Sequence, residues 1–325
     1  MDTPKTPDCE DKRLASLQAL NILDTPFEER FERITRFASQ LFDVPIALVS
    51  LIDQDRQWFK SAQGLDVRET SRAISFCGHT ILSRNILTTQ DALSDTRFYD
   101  NPLVTGDPHI RFYAGCPLHT ESGMALGTLC LIDRRPRELN DNDLEALRDL
   151  ALVIEREINQ PELNIIDAVT NLSNRHSFLA LAEKGLALCS RSATPVSLVF
   201  IELDRGEEGD AEEESAEQKR MLLKFGEYLN SRLDQSALVA RLAKNQFAVL
   251  LIDASVAEAT LAVMQFNTAV EELGQQEKWS HALRFDFGIA EFNSDRHTTV
   301  EKLLADADLA MYDSKKRKRY AAMKV

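Results

Sequence analysis

Apolar residues in the first third of the chain change period twice. Phe31, Ile34, Ala38 and Leu41 recur at three- and four-residue steps, which predicts an amphipathic helix. Pro45 disfavours helical backbone at the residue before it, so the helix is expected to stop there. The unbroken apolar run Ile46-Ala-Leu-Val-Ser-Leu-Ile52 then reads as a strand covered on both faces, with Trp58–Ala62 as its hairpin partner. A long stretch without a period follows. Gly115–His119 and Ala125–Ile132 flank the turn Glu121-Ser-Gly-Met and predict a second strand pair.

A further helix is expected from Asn140, a good N-cap followed by acids in the first turn. Leu144, Leu147, Ala151, Ile154 and Ile158 form a heptad seam along it. Such a seam is buried either in a coiled coil with a second helix or against the sheet of its own domain. Pro161 closes this helix and places a domain boundary near residue 160. Beyond it the periods alternate. Helices are expected at 175–189, 216–233, 255–273 and 299–314, and strands at 196–203, 237–242, 247–252 and 283–291. The fold class is therefore α/β in the broad sense (α+β), with two domains and a mixed sheet flanked by helices in the second. Residues 1–13 are polar, carry two prolines and read as a flexible tail. The first domain is 14–160, including its C-terminal linker helix, and the second is 161–325.

Charge narrows the partners. The chain has 52 acidic and 38 basic residues, a formal charge of −14, which disfavours a polyanion such as nucleic acid. No apolar run nears the roughly 20 residues of a membrane-spanning helix, and no secretory signal precedes the first domain. The cysteines at 9, 77, 116, 130 and 189 are scattered and odd in number, which argues against a disulfide framework and places the chain in a reducing cytoplasm. Glu207–Glu214 is an acidic run of the kind usually found on a solvated loop.

The first domain resembles a GAF domain. The resemblance rests on Leu23-Asp-Thr-Pro26, Val44–Asp53, Arg56-Gln-Trp-Phe-Lys60, Ser75-Phe-Cys-Gly-His79, Asn101-Pro-Leu-Val-Thr105, Ile110–Gly115 and Leu126-Gly-Thr-Leu-Cys130. It implies an antiparallel sheet with helices on one face and a ligand pocket, where one exists, on the other. Phe76, Cys77, His79, Phe112, Tyr113 and Met124 are the candidate pocket residues. Cys77 and His79 also carry a metal, haem or redox reading alongside a purely structural one, because thiolate and imidazole are good ligands. Trp58 and Phe59 read as core.

The second domain resembles a GGDEF domain, the fold of diguanylate cyclases. Asp167-Ala-Val-Thr-Asn-Leu-Ser-Asn-Arg-His-Ser-Phe178 matches the opening motif and Ala307-Asp-Leu-Ala-Met-Tyr-Asp-Ser-Lys315 the closing one. The resemblance implies condensation of two GTP molecules on magnesium ions. The metal would be held by the first acid of a strand end, by a neighbouring backbone carbonyl and by the third residue of the signature turn. Here the strand end is Glu202-Leu-Asp204, and Glu202 is the only metal ligand expected, if any. The turn is Ala243-Lys244-Asn245-Gln246-Phe247 in place of Gly-Gly-Asp/Glu-Glu-Phe. Ala243 and Lys244 add side chains where glycines let backbone approach a phosphate. Asn245 and Gln246 replace carboxylates with neutral amides, which balance a divalent cation poorly. Phe247 persists as the start of a core strand.

The nucleotide positions have changed as well. Glu207 stands at the phosphate-side lysine, and Asp210 and Lys219 at the guanine-reading pair. A carboxylate held about 4 Å from a phosphate is repelled by about 4 kcal/mol at an effective dielectric of 20. The Arg-x-x-Asp product-inhibition motif reads Asp234-Gln-Ser-Ala237. Lys315 and Arg319 match phosphate contacts and are the remaining nucleotide-binding candidates, inside a basic helix end that is also favoured by the helix dipole. Arg241 is expected to serve packing or an ion pair.

The resulting expectation is a cytoplasmic regulatory protein with a GAF sensor and a catalytically degenerate GGDEF module. It would act by binding a partner, as a homodimer through the GAF domain and helix 140–159, or in a mixed dimer with an active cyclase. No catalytic residue and no cofactor are expected, with magnesium only if cyclase activity survives. The alternatives are an active or weakly active diguanylate cyclase and a non-catalytic receptor for GTP or cyclic di-GMP.

Overall fold

The computed structural model describes residues 1–159, 166–204, 216–233, 236–277 and 283–322. The chain divides into two compact units, Met1–Asn164 and Ile165–Val325. Among the described residues no helix is long and apolar enough to cross a membrane.

The first unit contains α1 (Glu10–Ala19), α2 (Glu29–Leu41), β1 (Ile46–Ile52), β2 (Arg56–Gln63), β3 (Glu69–Ser71), α3 (Phe76–Thr80), β4 (Leu87–Thr89), α4 (Pro102–Thr105), β5 (Phe112–His119), β6 (Ala125–Asp133) and α5 (Asp141–Asn159). Its sheet is antiparallel, in the order β3-β2-β1-β6-β5-β4. Every residue of β1 is buried, as its unbroken apolar run requires. Alternate residues of that strand face opposite ways. Ile46, Leu48 and Ile52 join Phe76, Cys77, Phe98, Tyr113 and Cys130 in a core on the α3 and α4 side.

Asn140 caps α5 as expected. Its side chain accepts from the amides of Asn142 and Asp143 at 2.9 and 3.1 Å, while Asp143 accepts from the Asn140 amide. The heptad seam packs on β5, β6 and α2 of the same unit: Leu147 and Ile154 are fully buried, and Ala151 and Ile158 nearly so. The seam is thus spent inside its own domain, which corrects the expectation that helix 140–159 offers it to a second copy. A buried ion pair, Arg33 to Glu157 at 2.6 Å, fixes α5 to α2.

Residues 1–13, expected as a flexible tail, are also corrected. Arg13 lies in α1 and is 1% exposed, donating to the Ile52 carbonyl at 2.7 Å and pairing with Glu10. Further upstream, the Asp2 amide donates to the Arg97 carbonyl, and the Pro4 ring lies against Gly78. The tail looked unstructured because its polar groups are satisfied by residues far away in sequence.

The second unit contains β7 (Ser173–Asn174), α6 (Arg175–Ser192), β8 (Val196–Leu203), α7 (Ala216–Arg232), β9 (Ser236–Ala243), β10 (Gln246–Ile252), α8 (Val256–Glu277), β11 (Phe285–Glu291) and α9 (Val300–Ala322). Its sheet runs β11-β8-β10-β9-β7, antiparallel except for the β7–β9 pair, so the expected mixed sheet is present. One face carries the core of Val199, Ile201, Leu203, Phe247 and Val249 under α7 and α8. There Phe225 meets Phe247, Phe266 and Phe285 edge to face at 5.0–5.8 Å. Phe247 is therefore core, as read. The other face carries α9. A Cβ on Gly288 would fall 2.1 Å from the Ala307 carbonyl oxygen and 2.2 Å from the Met311 nitrogen, so only glycine lets the α9 backbone come this close to β11.

Candidate functional site

Strand register assembles the C-terminal site. Asp286 and Gln246 both pair with Glu202, one from each side. The two-residue alternation then places all three on the face opposite Phe247 and Leu203, under α9. Lys315 lies one helical turn beyond Met311, the residue seated at Gly288. Its Nζ donates to Glu202 Oε1 at 2.9 Å and lies 3.9 Å from Asp286 Oδ2. The pair is partly exposed, at 25% for the lysine and 31% for the glutamate.

The signature turn closes on the same strand end. The Asn245 carbonyl accepts from the Leu203 amide at 2.9 Å, and its side-chain amide donates to the Leu203 carbonyl at 2.7 Å. The left-handed non-glycine residues of the described chain lie elsewhere, so the turn at Lys244 and Asn245 forms without glycine's conformational freedom. Arg241, 6% exposed, ties the turn to the opening motif. It donates to the Lys244 carbonyl and to Asp167 at 3.1 Å. Asp167 Oδ1 also accepts from the Thr170 amide and hydroxyl, each at 2.9 Å. Burial pushes the Asp167 carboxyl upward, and these donors outweigh it, holding the group below the ordinary aspartate value. Arg241 is thus an ion-pair residue, as read.

The three groups implied as magnesium ligands do not fit a divalent cation. Glu202 faces an ammonium, the Leu203 carbonyl already accepts the Asn245 amide, and Asn245 offers only an uncharged oxygen where a carboxylate would balance the cation. Lys315, expected as a phosphate contact, donates to Glu202. The side chain of Arg319, and residues Glu207, Asp210 and Asp234, lie outside the described residues; Lys219 is exposed on α7. A separate cavity of about 370 Å³, lined by Leu233, Leu251 and Phe266 among others, lies at the far end of β10 from the turn.

In the first unit the six candidate pocket residues do not form one wall. Phe76, Cys77 and Tyr113 pack together in the core, with Phe76 stacked on Phe98 at a 4.0 Å centroid distance. Phe112 is fully buried but outside that core, because adjacent β5 residues face opposite ways. Met124 sits half-buried beside the β5–β6 turn. His79, half-buried, has Nε2 3.0 Å from the Asp2 carbonyl oxygen and its ring edge-on to Phe98. The tail thus takes up the imidazole that was a ligand candidate. Trp58 and Phe59 are core.

Two contributors went unread in the sequence. Asp286 gave no signal because only register brings it beside Glu202. Cys130 gave no signal either, being 53 positions from Cys77, yet its sulfur lies 3.7 Å from that of Cys77.

The GAF domain family matches residues 26–158, and the family described as "Diguanylate cyclase, GGDEF domain" matches residues 164–321. A cyclic di-GMP phosphodiesterase of Pseudomonas aeruginosa is 45% identical over 177 residues, covering 54% of this chain and 30% of that protein. The diguanylate cyclase DosC of Escherichia coli is 27% identical over 165 residues, covering 50% of this chain and 35% of DosC. The matched stretches thus span about a third of each of these relatives. Among solved structures, the GGDEF domain of FimX from Pseudomonas aeruginosa is similar with a TM-score of 0.41 and 19% identity, over 47% of this chain and 94% of that domain. The chain is a GAF domain followed in tandem by a GGDEF domain.

Proposed function

We propose that the chain is a cytoplasmic regulatory protein of cyclic di-GMP signalling, in which the GAF domain senses and the GGDEF domain responds by binding a partner rather than by condensing GTP. The relatives bearing cyclic di-GMP phosphodiesterase and diguanylate cyclase names support the signalling context. The observation that carries the non-catalytic part is the closure of the acidic strand end on itself. Glu202 pairs with Lys315, and the Asn245 amide covers the Leu203 carbonyl. A metal–triphosphate would have to displace both interactions and then meet a lysine and an amide where phosphoryl transfer needs carboxylate-held cations.

The test is incubation of the purified chain with GTP and magnesium or manganese, with nucleotides resolved by chromatography. No cyclic di-GMP is expected. Product that forms and then disappears in Glu202→Ala would establish the cyclase reading and overturn this one. Mixing the chain with an active cyclase and measuring both co-sedimentation and cyclase rate tests the partner: a mixed dimer changes both.

A further inference from the structure

The face of the GAF sheet that packs under α3 holds a buried row of thiols and hydroxyls. Cys77 is 1% exposed, and Cys130 and Tyr113 are fully buried. The two sulfurs are 3.7 Å apart. The Tyr113 hydroxyl donates to the Cys77 sulfur at 3.4 Å and lies 2.7 Å from the Thr80 hydroxyl. Ser50 and Thr128, hydrogen-bonded to each other at 3.0 Å, border the same sulfur. Among the described residues no carboxylate bonds to this group, so the cluster is polar without a fixed charge. Free cysteine is commonly buried, and here two thiols lie in contact within a row of hydroxyls.

We propose that Cys77 and Cys130 form a peroxide-responsive thiol pair that closes to a disulfide and staples α3 to β6. Cys77 is the attacking sulfur. Burial pushes its thiol up, but hydrogen bonds from Cys130, Ser50, Thr128 and Tyr113 outweigh this and bring it below the ordinary cysteine value, while Cys130 is held well above it. The two other buried cysteines differ: burial pushes Cys116 up to about 12 and Cys189 up to about 11.

The oxidant is a small hydroperoxide. The Cys77 sulfur attacks one peroxide oxygen and the O–O bond breaks. With hydrogen peroxide this yields a Cys77 sulfenic acid and one water. The Cys130 sulfur then attacks the Cys77 sulfur, the S–O bond breaks, and a second water leaves with the Cys130 proton. The sum is two thiols and one peroxide giving one disulfide and two waters. To bond, the sulfurs must close from 3.7 Å to about 2.05 Å. Once bonded, Cys77 is a poor acceptor and the Tyr113 hydroxyl is left to Thr80. The local packing around Phe76 and Phe98 then depends on redox state.

The experiment treats the intact chain with hydrogen peroxide, blocks remaining thiols by alkylation, and maps all five cysteines by mass spectrometry. The expected product is a cross-linked peptide joining Cys77 to Cys130, lighter by two hydrogens and released by a reductant, with Cys116 and Cys189 alkylated only after unfolding. In Cys130→Ser the reaction should stop at a Cys77 sulfenic acid that dimedone captures. Tyr113→Phe, which keeps the ring, should slow oxidation several-fold. Cys77 and Cys130 surviving as free thiols while other cysteines oxidise would overturn the proposal. So would the same cross-link pattern before and after the chain is unfolded in urea, since selectivity would then owe nothing to the fold. The wild-type measurement stands even if a variant fails to fold.

Discussion

The opening motif and the signature turn of the GGDEF domain lie within one hydrogen-bonded assembly, yet they differ in what their side chains do. At the opening motif, Asp167 gathers the Thr170 amide, the Thr170 hydroxyl and the Arg241 guanidinium, and Asn174 caps α6 by accepting from the Ser177 amide at 3.0 Å. These side chains satisfy backbone and buried groups, so the fold itself needs them. At the signature turn only Phe247 is core; Lys244 is exposed and Asn245 is partly buried. Between these two motifs, the resemblance is close at the buried, bonded residues of the opening motif and poor at the exposed residues of the turn. The two motifs therefore place different demands on the fold, because the opening motif's side chains satisfy buried groups and most of the turn's do not.

The largest effect should come from breaking the scaffold side of this contrast. Asp167→Ala removes an acceptor of several donors and the carboxylate facing a buried guanidinium, and is expected to destabilise the C-terminal unit by about 3 kcal/mol in urea titration. Lys244→Ala in the turn should change stability by less than about 0.5 kcal/mol. Equal losses would dissolve the distinction. Acid gives a second reading of the same group. The Asp167 carboxyl lies below its ordinary value in the folded chain, so its contribution is complete above that value. It is lost as pH falls below about 4 and through the lower folded value. Asp167→Asn should therefore flatten the acid limb of the stability curve.

Much of this architecture could be read from the chain. The run Ile46–Ile52 announced a strand covered on both faces, and Asn140 announced the start of α5. The short elements between β2 and β5 could not be read, because α3 and α4 span about one turn each and show no period; they are set by the side-chain caps Ser75 and Asn101. At the site, sequence identified the amide at Asn245 but not its bond to Leu203. Glu202 read as a metal ligand and Lys315 as a phosphate contact; 113 positions separate them, and their 2.9 Å contact could not be read from local spacing. The Cys77–Cys130 contact spans 53 positions and is equally invisible to local spacing.

A middle-sized effect should follow from returning an acid to the turn. Asn245→Asp removes the donor to the Leu203 carbonyl and sets two acceptors against each other, with an expected loss of about 1–2 kcal/mol in a thermal melt without divalent cations. Magnesium should recover part of that loss by bridging the new carboxylate and the carbonyl. The wild-type chain should melt at the same temperature with and without magnesium. A wild type that magnesium stabilises would show that the turn still holds a cation and would move it to the functional side of the comparison.

The smallest effect concerns Lys315. Its contact with Glu202 looks decisive on distance alone, but both side chains are partly exposed. Water and salt screen such a pair, and ordering two long side chains opposes it, so Lys315→Met should cost about 0.5 kcal/mol and less at high salt. A double-mutant cycle with Glu202→Gln isolates the coupling, expected below about 1 kcal/mol. A value that small means the ion pair contributes little to holding the domain together. Lys315→Met combined with Asn245→Asp should then show a larger magnesium-dependent rise in melting temperature than Asn245→Asp alone, because Glu202 is free to join the cation. If the double variant gains nothing over the single one, Lys315 does not limit the access of a cation to Glu202.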